Sequence, residues 1–332
     1  SIAGGAYVPL DPAAPLARLQ SIVSDTQAKL IVTHPSLEEK LQELGVDLLI
    51  VDLSMLDKLP DPSTKFISSD ATPESLYAVL FTSGSTGKPK GIRIPHSSLC
   101  SVSDAHAAET GVGPGSRVFQ FSAYTFDIGI LDVLVTLMRG GCVCVPSDHD
   151  RLNNLAGVIS ALQANWVFLT PTVADMLNPA DVPCLTTINL GGEAVNKKSS
   201  ERWQGYTTLN GLYGPAEGFK FALATPDVHN GASTNLGFPL SSAFWAVEPN
   251  DPSRLVPIGC IGELLIQSPI LAYGYLNADA KNTANWLEDM TYDWLPANGP
   301  KRAYRTGDLV RRNPDGTFEY MGRKDNQVKI RG

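Results

Sequence analysis

The stretch Leu80-Phe81-Thr82-Ser83-Gly84-Ser85-Thr86-Gly87-Lys88-Pro89-Lys90-Gly91 decides how the rest of the chain is read. A short apolar run, Tyr77 to Phe81, has the character of a buried strand and stops abruptly in glycines, hydroxyls and two lysines. That composition suits an anion. Gly84, Gly87 and Gly91 let backbone N–H groups approach a phosphate closely, Thr82, Ser83, Ser85 and Thr86 add hydroxyl donors, and Lys88 and Lys90 add positive charge. The spacing is not that of the Walker loop: two residues separate Gly84 from Gly87, and Pro89 follows Lys88. A solvated Gly/Ser turn is the plainer alternative for such a string taken alone.

Outward from this loop, hydrophobic patterns alternate between strand and helix. Upstream, Leu16, Leu19, Ile22 and Val23 give a helical face, Leu30 to Val32 a strand, Leu37, Leu41 and Leu44 a helix, and Val46 to Val51 a strand. Downstream, helices are expected over Ser97 to Glu109, on the stripe Ile130, Leu131, Leu134, Leu137 and Met138, and on Leu155, Val158, Ile159 and Leu162. Strands fall between them at Val118 to Phe121, Cys142 to Val145, Trp166 to Leu169, Thr187 to Leu190 and Thr207 to Asn210. Strands separated by helices imply mainly parallel sheets flanked by helices, in two α/β subdomains. Beyond about residue 225 short strands take over at Phe244 to Val247, Gly262 to Ile266, Asp308 to Arg311 and Thr317 to Tyr320. The turn Asn313-Pro314-Asp315-Gly316 joins the last two. This implies a small β-rich subdomain, a distorted barrel.

The 332 residues suit roughly two or three packed subdomains. Hydrophobic residues make up 43% and charged ones 18%, an ordinary globular balance. A formal net charge of −8 with no lysine or arginine run argues against a general nucleic-acid binder, and no apolar stretch approaches the ~20 residues of a membrane helix. Cys100, Cys142, Cys144, Cys184 and Cys260 are scattered and odd in number, which suits a reducing, cytoplasmic setting. Cys142 and Cys144 share one face of a strand and read as core. The chain starts at Ser1 with no targeting signal, and both ends read as cut.

A second cluster, Leu209-Asn210-Gly211-Leu212-Tyr213-Gly214-Pro215-Ala216-Glu217, runs a strand end into a Gly-Pro turn that exposes an aromatic ring and a carboxylate. In an open α/β sheet, ligands bind beyond the carboxyl ends of strands, where such a turn lies. The cluster is similar to the Tyr-Gly-Pro-Thr-Glu motif of the adenylate-forming superfamily, and the first stretch resembles that family's phosphate loop. The superfamily includes acyl-CoA synthetases, luciferases and the adenylation domains of nonribosomal peptide synthetases. The resemblance implies that Thr82, Ser83, Gly84, Ser85, Thr86, Gly87 and Lys88 hold the phosphates of ATP. It also implies that Tyr213 stacks on adenine, that Glu217 holds the magnesium bridging the phosphates, and that Thr82, Lys90 and Glu217 are catalytic. Gly191-Gly192-Glu193, following a strand, then lies along the adenine. Ala216 stands where the family has threonine, so one hydroxyl near the α-phosphate is missing.

Two further strings match in family order. Tyr304-Arg305-Thr306-Gly307-Asp308-Leu309 places an Asp after a Gly, where a carboxylate can accept two hydrogen bonds from vicinal hydroxyls, and by resemblance Asp308 holds the ribose. Gly322-Arg323-Lys324-Asp325 opens a segment that resembles the hinge to the family's small C-terminal lobe, with Arg323 reaching the ribose and Asp325 absorbing the rotation. The expected organisation is therefore a partial first α/β subdomain with the phosphate loop (1–95), a second with the amino acid pocket (96–225), the β-rich subdomain (226–322) and the hinge (323–332).

Phe126-Asp127-Ile128 bears on the substrate. A buried carboxylate needs a cation, and among peptide-synthetase adenylation domains the aspartate at this position pairs with the substrate's α-ammonium group. The alternative for Asp127 is an ordinary helix N-cap. By the same resemblance Ile128, Leu131, Phe168, Ile188, Leu190, Leu212, Lys220 and Phe221 line the side-chain pocket. Most are large and apolar, so an apolar amino acid is expected. Lys220 either snorkels to solvent or meets a polar group of the substrate. No histidine shows a metal or triad spacing.

The resemblance spans nearly the whole chain and implies an amino acid adenylation domain. Such a domain activates an amino acid with ATP and Mg2+ as aminoacyl-AMP, for transfer to the phosphopantetheine of a peptidyl carrier domain beside a condensation domain. The family's catalytic lysine lies in the C-terminal lobe, so this stretch alone is expected to bind its substrates and adenylate weakly. Two rivals differ in testable ways. An acyl- or aryl-CoA ligase activates acids that lack an amino group, and a non-catalytic scaffold need bind neither ATP nor amino acid.

Overall fold

The computed structural model describes residues 4–58, 70–82, 89–218, 223–226, 234–240, 242–268, 271–277, 284–296 and 298–325. Its contacts divide the chain into two compact units, one formed by 1–96 with 273–279 and the other by 97–272 with 280–332.

In the first unit the helix Leu16–Thr26 buries Leu19, Ile22 and Val23, as its spacing predicts. The strands Leu30–Thr33 and Asp47–Ile50 pair in parallel, and Leu19, Val23, Ile31 and Leu41 form the core beneath them. The strand expected before the phosphate loop runs from Leu76 to Thr82, with Tyr77, Ala78, Val79 and Leu80 buried. Its partner is the strand Lys90–Pro95, antiparallel, with Thr82 opposite Lys90. Reading the loop through Gly91 leaves that strand unaccounted for. Antiparallel pairing follows from length, since residues 83–89 are too few for a parallel crossover of about a dozen residues. Ser83 to Lys88 lie outside the described residues.

The second unit holds a large sheet, thirteen strands among the described residues. Its parallel part runs in spatial order Cys142–Cys144, Arg117–Phe119, Trp166–Leu169, Thr187–Leu190 and Thr208–Tyr213. Antiparallel strands continue from there as Leu223–Pro226, Asn235–Pro239, Phe318–Arg323, Ala303–Arg312, Ile261–Gln267, Ala243–Glu248 and Asp251–Leu255, and Trp286–Leu287 also pairs with Ala303–Arg312 off this path. Strand alternation sorts the parallel part into two faces. Val167, Leu169, Ile188, Leu190 and Leu209 pack into an apolar cluster with Ile159, Leu177, Leu185 and Trp203. The other face carries Trp166 and, side by side in register, Phe168, Asn189 and Asn210. The helix His96–Thr110 lies over that face, where Trp166 Nε1 donates to the Thr110 carbonyl and the indole meets His106 edge-on.

Two expectations change here. The apolar stripe after Asp127 does not bury as an α-helical face: Leu137 and Met138 are exposed, while Ile130, Leu131, Asp132, Val135 and Thr136 are buried. Leu131–Val135 is π-helical, and its wider turn shifts the buried positions to a repeat of five. Cys142 is also exposed while Cys144 is buried, because the strand Cys142–Cys144 is the sheet's outer edge and Cys142 only begins it.

Candidate active site

Asp308 is not at the start of a strand but inside one, Ala303–Arg312, at an irregularity. Glu263 faces Leu309 and Leu265 faces Arg305, so Thr306, Gly307 and Asp308 together stand opposite the single residue Leu264. Such a bulge re-aims a side chain out of the ladder. Thr306 pins it: its hydroxyl donates to the Leu264 carbonyl at 2.9 Å and accepts from the Asp308 N–H at 3.0 Å. Gly307 turns the chain with φ +74°, a left-handed conformation that side-chain-bearing residues rarely adopt.

The re-aimed carboxylate meets two donors. The Tyr213 hydroxyl donates to Asp308 Oδ2, and Arg323 Nη1 donates to Oδ1 at 2.9 Å. Asp308 and Arg323 are register partners on adjacent strands, so backbone pairing brings them together. Burial first, then the charge of Asp308 and the bond to it, pushes the Tyr213 phenol well above its ordinary range, so it stays a neutral donor. Arg323 Nε and Nη2 donate to the two oxygens of Asp325, each at 2.9 Å. Tyr213, Asp308, Arg323 and Asp325, drawn from three separate strings, thus form one hydrogen-bonded chain.

Gly191 follows the neighbouring strand Thr187–Leu190, where an added Cβ would lie 2.9 Å from the Leu212 carbonyl oxygen and 2.7 Å from Phe168 Cζ. Gly192 follows with φ +80°. Glu193 turns to Thr172, whose hydroxyl and N–H donate to its Oε2 at 2.6 and 3.2 Å. Glu217, half-buried, sits in the single turn Ala216–Gly218 just after Tyr213. In the first unit, the Lys90 ammonium lies 5.1 Å from the centre of the Tyr275 ring, and Thr82 ends its strand opposite Lys90.

Asp127 is the first residue of the helix Asp127–Ile130, after Phe126 as cap, and its Oδ1 accepts from the Ile128 N–H at 2.9 Å. Ile128 is half-buried and Leu131 buried. Phe168 and Leu212 share a sheet face by alternation, whereas Ile188 and Leu190 turn to the apolar cluster around Trp203 on the other. The residue that register puts beside Phe168 is Asn189, fully buried, its Oδ1 accepting from Asn210 Nδ2 at 3.0 Å. Sequence reading passed over Asn189 because a single polar residue in an apolar strand gives no face until the register is known. Lys220 and Phe221 lie outside the described residues.

Asp132, also passed over, is 2% exposed in the π-helical turn, and its Oδ2 has no hydrogen-bond partner. Burial, reinforced by the charge of Asp127, raises its pKa well above the ordinary carboxylate value. A raised carboxyl pKa favours the native state fully below the unfolded value, near 3.8, and that contribution is lost as pH rises towards the folded one. Asp132→Asn, neutral at every pH, is therefore expected to be stabilised relative to the unaltered chain by a margin that widens from pH 4 to pH 8. Urea midpoints at both pH values test this; a constant margin counts against it.

Residues 1–276 match the family described as AMP-binding enzyme. The nonribosomal peptide synthetase atnA of Emericella nidulans is 44% identical over 333 residues, 99% of this chain and 5% of that protein. The nonribosomal peptide synthetase nlsA of the same organism is 42% identical over 341 residues, 100% of this chain and 6% of that protein. The chain thus spans only a small fraction of the curated relatives it matches. Among solved structures, the AMPPNP-bound form of the nonribosomal peptide synthetase FmoA3 superposes with a TM-score of 0.83 at 25% identity, covering 97% of this chain and 35% of that one.

Proposed function

Given that this chain belongs to the AMP-binding enzyme family, we propose that it selects an amino acid and activates it with ATP as part of a nonribosomal peptide synthetase. The observation that carries this reading is the Tyr213–Asp308–Arg323 cluster, a neutral aromatic donor and a cation on either side of one re-aimed carboxylate. A carboxylate so held keeps lone pairs for the vicinal hydroxyls of a ribose, beside a ring able to stack on a base. The AMPPNP-bound relative of the same fold supports a nucleotide there.

In this reading the amino acid carboxylate attacks the α-phosphorus of ATP, pyrophosphate leaves, and aminoacyl-AMP remains for transfer to a carrier domain's phosphopantetheine thiol. Two anions have to meet, so the protein's part is charge neutralisation and positioning. Lys90 supplies positive charge and Thr82 a hydroxyl at the strand ends that flank the phosphate loop. Asp127 takes the substrate ammonium, and Leu131, Phe168 and Leu212 support an apolar side chain, with Asn189 the polar exception. Glu217 is a hard oxygen ligand on a partly open turn, which fits magnesium, an ion usually held by one or two carboxylates together with substrate phosphates. When bound, that ion supplies positive charge to the phosphates.

Calorimetric titration with ATP and magnesium, then with a panel of amino acids, tests the proposal. Saturable binding of ATP and of at least one amino acid is expected; absence of both points instead to a scaffold.

A further inference from the structure

We infer that Asp325 is a positioning residue of the nucleotide site, fixing through Arg323 the carboxylate that meets the ribose. This rests on the nucleotide reading above and adds to it a role for Asp325 distinct from hinge motion. Arg323 has a long side chain with many rotamers, and an arginine held at one end only samples several of them. Here the guanidinium is held along both edges. Nη1 donates to Asp308 Oδ1 at 2.9 Å and to the Thr306 carbonyl at 2.7 Å, while Nε and Nη2 donate in parallel to Asp325 Oδ1 and Oδ2 at 2.9 Å each. That second contact is the bidentate fork, the arrangement that fixes the guanidinium plane. The backbone supports it, since the N–H of Lys324, between the two residues, donates to the Gly307 carbonyl at 2.8 Å. Burial opposes the charge of Arg323, but its bonds to Asp325 and Asp308 outweigh that and hold it protonated.

The consequence has a sign that separates positioning from simple charge. Asp325 is negative and half-exposed, and a nucleotide is an anion. If its charge alone mattered, removing it would relieve repulsion and tighten nucleotide binding. If it positions Arg323, removing it frees the guanidinium, loosens Asp308 and weakens binding. A hinge role predicts neither, because rotation between reaction steps does not enter equilibrium binding of AMP.

The experiment is calorimetric titration of the full chain with AMP, for the unaltered protein, Asp325→Asn, Asp325→Glu, Arg323→Ala and the double variant Asp325→Asn/Arg323→Ala. Thermal melts check that each is folded. Asp325→Asn is expected to raise Kd about fivefold, the scale of coupling between contacting charged groups. Asp325→Glu, which keeps the fork, should restore most of the loss, and Asp325→Asn should add nothing once Arg323 is alanine. Unchanged or tighter binding by Asp325→Asn overturns the inference, as does an equal loss with and without Arg323. Failure of the unaltered chain to bind AMP overturns the nucleotide reading itself, and this inference with it.

Discussion

Replacing Asp308 by alanine is expected to weaken ATP binding about hundredfold and to lower stability by about 2 kcal/mol. The two losses share a cause. The Asp308 carboxylate accepts from the Tyr213 hydroxyl and from Arg323, and its side chain is only 12% exposed. Alanine takes the acceptor from the half-buried Tyr213 hydroxyl and from one edge of the Arg323 guanidinium, which keeps the Thr306 carbonyl and Asp325, and the lost charged hydrogen bonds account for the stability term. On the proposed nucleotide reading, the binding term adds the loss of the ribose acceptor and of the anchor that keeps Tyr213 in place. Asp308→Asn should fall between, because its amide oxygen still accepts from one donor while its N–H2 opposes the other. Titration calorimetry and denaturant melts read both quantities. A loss of ATP affinity below about fivefold in the alanine variant, with the fold intact, would remove Asp308 from the nucleotide site.

The second large effect is expected at Asp127. Asp127→Ala should reduce affinity for the preferred amino acid about hundredfold while leaving ATP affinity unchanged, since on the proposed reading the partly buried carboxylate makes a charge-assisted contact with the substrate ammonium. The sharper reading compares that amino acid with its analogue lacking the amino group. The unaltered chain should prefer the amino acid strongly, and Asp127→Ala should erase most of the preference. Equal discrimination in both proteins would return Asp127 to its simplest role, a first-turn helix residue accepting from the Ile128 N–H, and would favour an acyl- or aryl-CoA ligase.

Much of this was legible in the chain. The strands Trp166–Leu169 and Thr187–Leu190 fall where short apolar runs put them, because strand formation there is driven by local burial on both faces. Tyr213, Asp308, Arg323 and Asp325 were each singled out from short strings, and the structure joins them. The pocket list fared differently. Ile188 and Leu190 were grouped with Phe168, yet a shift of one position exchanges strand faces, and it is Asn189 that stands beside Phe168.

What the sequence determined by itself was local: where most strands and helices fall, which short strings carry Tyr213, Asp308 and Arg323, and membership of a family. Periodicity and short motifs encode those properties within a few residues of one another. What only tertiary structure decided was relative placement. The bulge at Thr306–Asp308 exists because of how Glu263 and Leu265 pair across the sheet, and the antiparallel partner Lys90–Pro95 closes on Leu76–Thr82. The five-residue repeat that buries Asp132 belongs to a π turn that no α-helical spacing predicts. Each depends on which carbonyl a distant N–H finds, and that choice is made by the packed whole rather than by neighbours in the chain.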